Sequence, residues 1–184
     1  MTAGRAPRLH RTLPAADALL AEHAPAIGDD LAGYRNHVYR VANLCLALSG
    51  ADGEARERVE VAAALHDVGI WTARTFDYLA PSAAVAADHL RRAGRAAWVP
   101  EVTTMIAEHH RVRPYRGAGA LVEPFRRADW IDVSWGALAL GAPRAFVRAV
   151  RAAWPDAGFH RRLAALTLAR ARVHPLSPLP MLRL

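Results

Sequence analysis

Nowhere in this chain do apolar and polar residues alternate with period two. They recur instead at three- and four-residue spacing, in segments opened by proline or aspartate and closed by glycine or proline. A half-buried strand needs alternation and an amphipathic helix needs the longer spacing, so the pattern restricts the fold to helices. A first helix is expected from Pro14 to Pro25. Asp29 or Asp30 can cap a second from Leu31 to Leu48, ended by Gly50, and Asp52 a third from Gly53 to Val68, with Gly69 at its end. An irregular stretch follows over 69–80. Pro81 then opens a fourth helix to Arg92, closed by Gly94, and Pro100 a fifth to Arg111. After a loop over 113–120, Pro124 opens a sixth and Pro143 a seventh that ends before Pro155. Phe159 to Val173 forms the eighth. Residues 1–12 read as a disordered basic arm, 13–174 as one helical domain and 175–184 as an extended proline-rich tail. At 184 residues there is material for one sizeable core. The expected fold is therefore all-α, a single-domain helical bundle.

Charge narrows the classes of function less than its size suggests. All 24 basic residues are arginine and the formal charge is +7. Guanidinium pairs bidentately with phosphate, so an arginine-rich surface suits nucleic acid or other phosphates. Yet the arginines are scattered (Arg35, Arg56, Arg58, Arg91, Arg92, Arg126, Arg127, Arg151, Arg161, Arg162) and accompany abundant alanine, which a GC-rich coding bias explains better. Solvated helix faces are the simpler reading, and nucleic acid is not the expected partner. The longest uncharged apolar run falls far short of the roughly 20 residues that span a bilayer. No apolar stretch follows the N-terminal arginines, so neither a membrane nor a secretory signal is expected. A lone Cys45 excludes an intramolecular disulfide and a CxxC metal pair, and fits a reducing cytoplasm.

Titratable residues on apolar faces carry the functional signal. Tyr34, His37, Val41, Leu44 and Leu48 share one stripe of the second helix. His66 and Asp67 occupy the last turn of a third helix that is apolar nearly all round. On the fifth, Val102, Met105, Ile106 and His109 align, with His110 one position further. Phe125, Ala128, Asp129 and Asp132 align on the sixth. Each residue alone has an ordinary reading: a single inward histidine is usually a hydrogen-bonded core residue, and Asp129 could pair with Arg126 or Arg127. Taken together, His, His-Asp, His-His and Asp from four helices suit a shared cation, which would neutralise the carboxylates and occupy the imidazole nitrogens.

The runs YRNHVYRV, AAALHDVG, IAEHHRVRPY and RRADWID, in that order on helices from Gly33 to Trp135, resemble the H…HD…D signature of the HD-domain superfamily of metal-dependent phosphohydrolases. The resemblance implies metal ligands at His37, His66, Asp67 and Asp129, with Asp132 supporting them. It implies one divalent transition ion (Mn, Fe, Co, Ni or Zn) and a small-molecule substrate hydrolysed by metal-activated water. Asp67, His110 and Asp77 are the expected catalytic groups, and Arg40, His109 and Tyr78 the expected substrate contacts. As a ligand, Asp129 is expected to have a depressed pKa.

Two departures shape the expectation. Binuclear HD proteins carry an extra histidine near the start of the helix after the HD loop, where Ser82 stands here. The histidine of that helix is His89, near its far end, and its pairing with His109 or His110 is the route to a second metal. Nucleotidase-like members carry an acid shortly after HD, for which Asp77 is the nearest replacement. Alternatives are a diiron oxygenase, which needs that second ion, and an arginine-rich nucleic-acid-binding protein with a vestigial site. The sequence leaves an oligomer open.

Overall fold

In the computed structural model, which describes residues 7–182, nine α-helices and two short 3-10 turns account for the regular structure, and the described residues form no strand. The helices are α1 (Pro14–Ile27), α2 (Leu31–Ser49), α3 (Gly53–Leu65), α4 (Gly69–Thr72), α5 (Leu79–Arg92), α6 (Val99–Glu108), α7 (Val122–Val133), α8 (Arg144–Ala153) and α9 (Phe159–Val173). The all-α expectation holds. No helix among the described residues is long and apolar enough to cross a membrane.

At the centre lies α2, buried continuously from His37 to Leu46 and packed against α1, α3, α7, α8 and α9. A helix enclosed this way must be apolar nearly all round, and its polar members, His37, Arg40 and Asn43, are each buried. Around it, α3 packs on α1, α5 and α6, and α6 packs on α7. The ends of α3 and α6 and the inner face of α7 thereby converge on the first half of α2.

Several boundaries differ from the expectation. Pro81, Pro100 and Pro124 do not begin their helices; α5, α6 and α7 start at Leu79, Val99 and Val122. Proline is tolerated throughout a first turn, where the amide has no helical acceptor, so it marks the turn rather than its first residue. Near the other end of a helix, α1 runs past Pro25 to bury Ile27. The helices α3 and α6 stop at Leu65 and Glu108, earlier than expected, leaving His66, Asp67, His109 and His110 on the turns just beyond. One turn of helix, α4, replaces the start of the irregular stretch. It is fixed by Gly69, whose amide donates to Ser82 Oγ at 2.9 Å.

The termini are also more attached than expected. Of the basic arm, residues 1–6 lie outside the described residues. Leu9 packs on the core, the His10 amide donates to Asn43 Oδ1 at 2.7 Å, and the Thr12 carbonyl accepts from Arg56. The tail after α9 runs through turns rather than straight, and buries Met181. Residues 183–184 of that tail lie outside the described residues.

Candidate metal centre

Six side chains from four helices meet behind α2. His37 projects from α2, and His66 and Asp67 from the break between α3 and α4. His109 and His110 lie just past α6, and Asp129 on α7. His37 Nε2 and His66 Nε2 stand 2.9 Å apart. Asp67 Oδ2 is 3.6 Å from the first nitrogen and 3.4 Å from the second. Asp129 Oδ1 is 3.7 and 3.9 Å from the same two. Asp67 turns its other oxygen, Oδ1, toward His109 Nε2 at 3.4 Å, and Asp129 turns Oδ2 toward His110 Nδ1 at 3.3 Å. Neither of these last two contacts has the alignment of a hydrogen bond.

The outer nitrogens determine what the inner ones offer. His66 Nδ1 faces the Ala63 carbonyl at 2.8 Å and His109 Nδ1 the Ile106 carbonyl at 2.7 Å. His37 Nδ1 faces Asp132 Oδ2 at 2.7 Å. A carbonyl or carboxylate only accepts, so each Nδ1 carries a proton, and in the neutral ring each Nε2 then presents its lone pair inward. Two such lone pairs at 2.9 Å repel unless a cation lies between them. Burial lowers the His66 pKa to about 3, so near neutrality its Nε2 is an acceptor, for a proton or for a metal cation lying between the two rings.

A cation also answers the hydrogen-bond deficit. Asp67 Oδ1, His109 Nε2 and both carboxylate oxygens of Asp129 are buried without a hydrogen-bond partner. One unpartnered buried polar group costs on the order of 1–3 kcal/mol, more when charged, and four in one place are not retained without a function. Two imidazoles and two carboxylates form a donor set suited to a divalent transition ion. Cis ligands on bonds of about 2.1 Å stand roughly 3 Å apart, which the His37–His66 separation matches. Three overlapping groups bring ligand atoms within 4.8 Å of one another: His37, His66 and Asp129; His66, Asp67 and His109; and His109, His110 and Asp129. The donors present fit a metal.

Electrostatics separates the three acids. Burial pushes the Asp129 carboxyl up to about 7, against the pull of His109 and His37. The neighbouring Asp67 and Asp132 carboxylates add to the rise, and the depression expected of a ligand is the effect of a cation bound against its oxygens. Burial acts the same way on Asp67, but the imidazoles of His66 and His109 hold it below the ordinary carboxylate range. Asp132 is likewise held low, by His37 and by Arg40, whose Nε and Nη2 approach its two oxygens at 2.6 and 2.8 Å. Apolar rings enclose the set. Phe159 stacks on His37 with centroids 4.0 Å apart, and Phe125 meets His66 edge-on.

The remaining expected residues divide. Arg40 is not free for substrate: it is 1 % exposed, forks onto Asp132 and donates to the carbonyls of Trp154 and Pro155. Asp77 is exposed, because the loop turns its neighbours Phe76 and Tyr78 inward and this residue out. Tyr78 is buried, its hydroxyl 2.8 Å from His110 Nε2. His110 is the most open member of the set, its side chain 14 % exposed. Among the described residues Asp129 has no arginine partner; Arg126 pairs with Glu123. No metal-capable group among the described residues contains His89, whose charge acts on His23 instead. Sequence reasoning read His109 as a substrate contact. Its position on the Val102–Met105–Ile106 stripe carried the signal that it faces inward, where its Nε2 lies 3.4 Å from Asp67 Oδ1.

The chain matches no curated protein and no solved structure. Residues 34–134, more than half of its length, match the HD domain and contain all six clustered side chains. The chain therefore belongs to the HD-domain family.

Proposed function

We propose that this chain is a metal-dependent hydrolase of a small phosphoester, with one divalent transition ion held by His37, His66, Asp67 and Asp129. The observation that carries the reading is the group of three unpartnered buried carboxylate oxygens and one imidazole nitrogen between α2, α3, α6 and α7. When bound, the ion supplies Lewis acidity and a coordinated water of lowered pKa. The protein's own groups supply the rest. Asp67 retains an oxygen turned from the His37–His66 pair, placed to accept a hydrogen bond from the attacking water and orient it. His110 stands at the open edge, where a substrate arrives. Its pKa is well below the ordinary histidine value, chiefly by burial, so it is neutral at rest. A neutral imidazole there can relay a proton toward the leaving oxygen, and Tyr78, whose phenol burial keeps protonated, orients it. The other members of the cluster are buried and only His110 is part-exposed, which favours a small substrate.

A second reading rests on the His109–His110–Asp129 group, which offers three further ligand atoms close together. Two ions would accommodate an HD-type diiron oxygenase. Metal analysis of the purified chain separates the two. The hydrolase predicts one ion per chain, lost in His66→Ala and Asp67→Ala and weakened in Asp129→Asn, with phosphoester turnover following the metal. Two irons per chain with oxygen uptake on adding substrate would establish the alternative. Stoichiometric metal retained in a His66→Ala/Asp67→Ala double variant would eliminate both ligand assignments.

A further inference from the structure

Beside Asp132, the acid that receives His37, the turn after α7 and the first two turns of α8 border a half-open cavity of about 300 Å³. Trp135, Gly136, Arg144, Val147, Arg148 and Arg151 line it. The arginines fall at i, i+4 and i+7, one face of α8, with Val147 at the edge of that face, while Phe146 and Val150 bury the other side of the helix. The turn that closes the cavity has an uncommon backbone: Trp135 has φ 58° and Gly136 φ 75°. A Cβ at Gly136 would lie 2.9 Å from Val147 Cγ1. A bulky residue at positive φ persists only where its surroundings over-determine it. Here the Arg151 guanidinium stands 4.9 Å over the indole and the His160 ring packs 4.3 Å away. The indole nonetheless remains 55 % exposed as a wall of the cavity.

The charges in this cavity are unbalanced. Among the described residues, the side chains of Arg144 and Arg148 have no hydrogen bond or ion pair, although carboxylates pair with many other arginines of this chain. Arg151 reaches a carboxylate, Asp132 Oδ1 at 3.8 Å, but that acid already receives Arg40 and His37. Three guanidiniums thus face one small cavity with one shared, already satisfied anion. Like charges on one helix face repel weakly, a multiply charged anion relieves that repulsion, and guanidinium forks match a tetrahedral oxyanion two oxygens at a time.

We propose that this cavity is a binding site for a phosphate group, separate from the metal centre, with Arg144, Arg148 and Arg151 as its ligands and Trp135 as its wall. The phosphate is either the free ion or the head of a phosphomonoester. Seated there, it shares Arg151 with the acid that orients His37, so the cavity and the metal centre meet at one guanidinium.

The test is calorimetric titration of the purified full-length chain with inorganic phosphate, beside Arg144→Ala/Arg148→Ala. Both residues are exposed and lie outside the metal centre, so folding and metal content should not change, and phosphate taken up at the metal is common to both proteins. The wild type should show a phosphate site that the variant lacks or binds roughly 10- to 100-fold more weakly. Repeating the titration with glycerol 3-phosphate distinguishes the sources. Tighter binding than free phosphate assigns the cavity to an ester; equal or weaker binding assigns it to the free ion. Identical stoichiometry and affinity in wild type and variant would overturn the proposal. So would phosphate binding that chloride abolishes at matched ionic strength.

Discussion

Asp129 carries the most testable electrostatics in the cluster. Its ordinary pKa is 3.8 and burial raises it to about 7 in the metal-free protein. Between those values the native chain holds a proton that the unfolded chain has lost. The group's contribution to stability is therefore fully present below about 4 and lost as pH rises through about 7. Metal uptake runs the other way, since a carboxylate must be deprotonated to ligate. Affinity of the chelator-treated protein for Mn²⁺ is expected to climb between pH 6 and 8, by up to roughly tenfold per pH unit below the pKa. Asp129→Asn should flatten that climb as well as weaken binding. A wild-type profile that is level across this range would show that Asp129 is not the ligand whose proton competes. The ring nitrogens expose a limit of sequence reading. That His37, His66 and His109 face inward was legible from helical spacing. That each donates outward through Nδ1 was not, because Ala63 and Ile106 contribute carbonyls, which leave no trace in side-chain identity.

Helices were legible in the sequence as existing elements and much less so at their ends. The segments between punctuating residues are helical as read, but three prolines misplace the first turn by one or two residues because that turn tolerates proline throughout. The break at His66-Asp67 was missed for a different reason. It is imposed by packing: a Cβ on Gly69 would come within 2.7 Å of the Tyr78 carbonyl oxygen and 2.9 Å of Ser82 Oγ. Glycine is thus required there by close approach of α4 to the start of α5, not by a left-handed φ. Gly69→Ala should push these segments apart and destabilise the protein by ~1–3 kcal/mol, the usual cost of overpacking. Because His66 and Asp67 precede that contact directly, metal affinity should fall with it. Urea unfolding and a metal titration measure the two effects. Unchanged stability would mean that the α4–α5 contact yields freely and does not hold the HD turn.

Long-range pairing reverses the reading of Arg40. One helical turn from His37, it looked free to hold an anionic substrate. Its partner is Asp132, 92 residues away, and no local pattern could have named it. Together Arg40 and Asp132 clamp α2 to α7 and orient the His37 ring from behind. Asp132→Asn leaves a buried guanidinium without its counter-charge, for which the expected loss is about 3–5 kcal/mol. The same change weakens the hold on His37, so metal affinity should drop roughly 10- to 100-fold. Thermal and urea denaturation of the metal-free variant isolate the first effect, and a stability within experimental error of wild type would contradict the clamp. The third arm of Arg40 has a consequence for modularity. Its Nη1 is held by the carbonyls of Trp154 and Pro155, some twenty residues beyond the segment that matches the HD domain. The stretch that carries the family's hallmark is therefore not self-sufficient. Transplanted without α8 and the turn that follows, it would keep its ligands but lose acceptors that hold their support, so an HD segment recognised by its motif and the unit that folds around it have different borders.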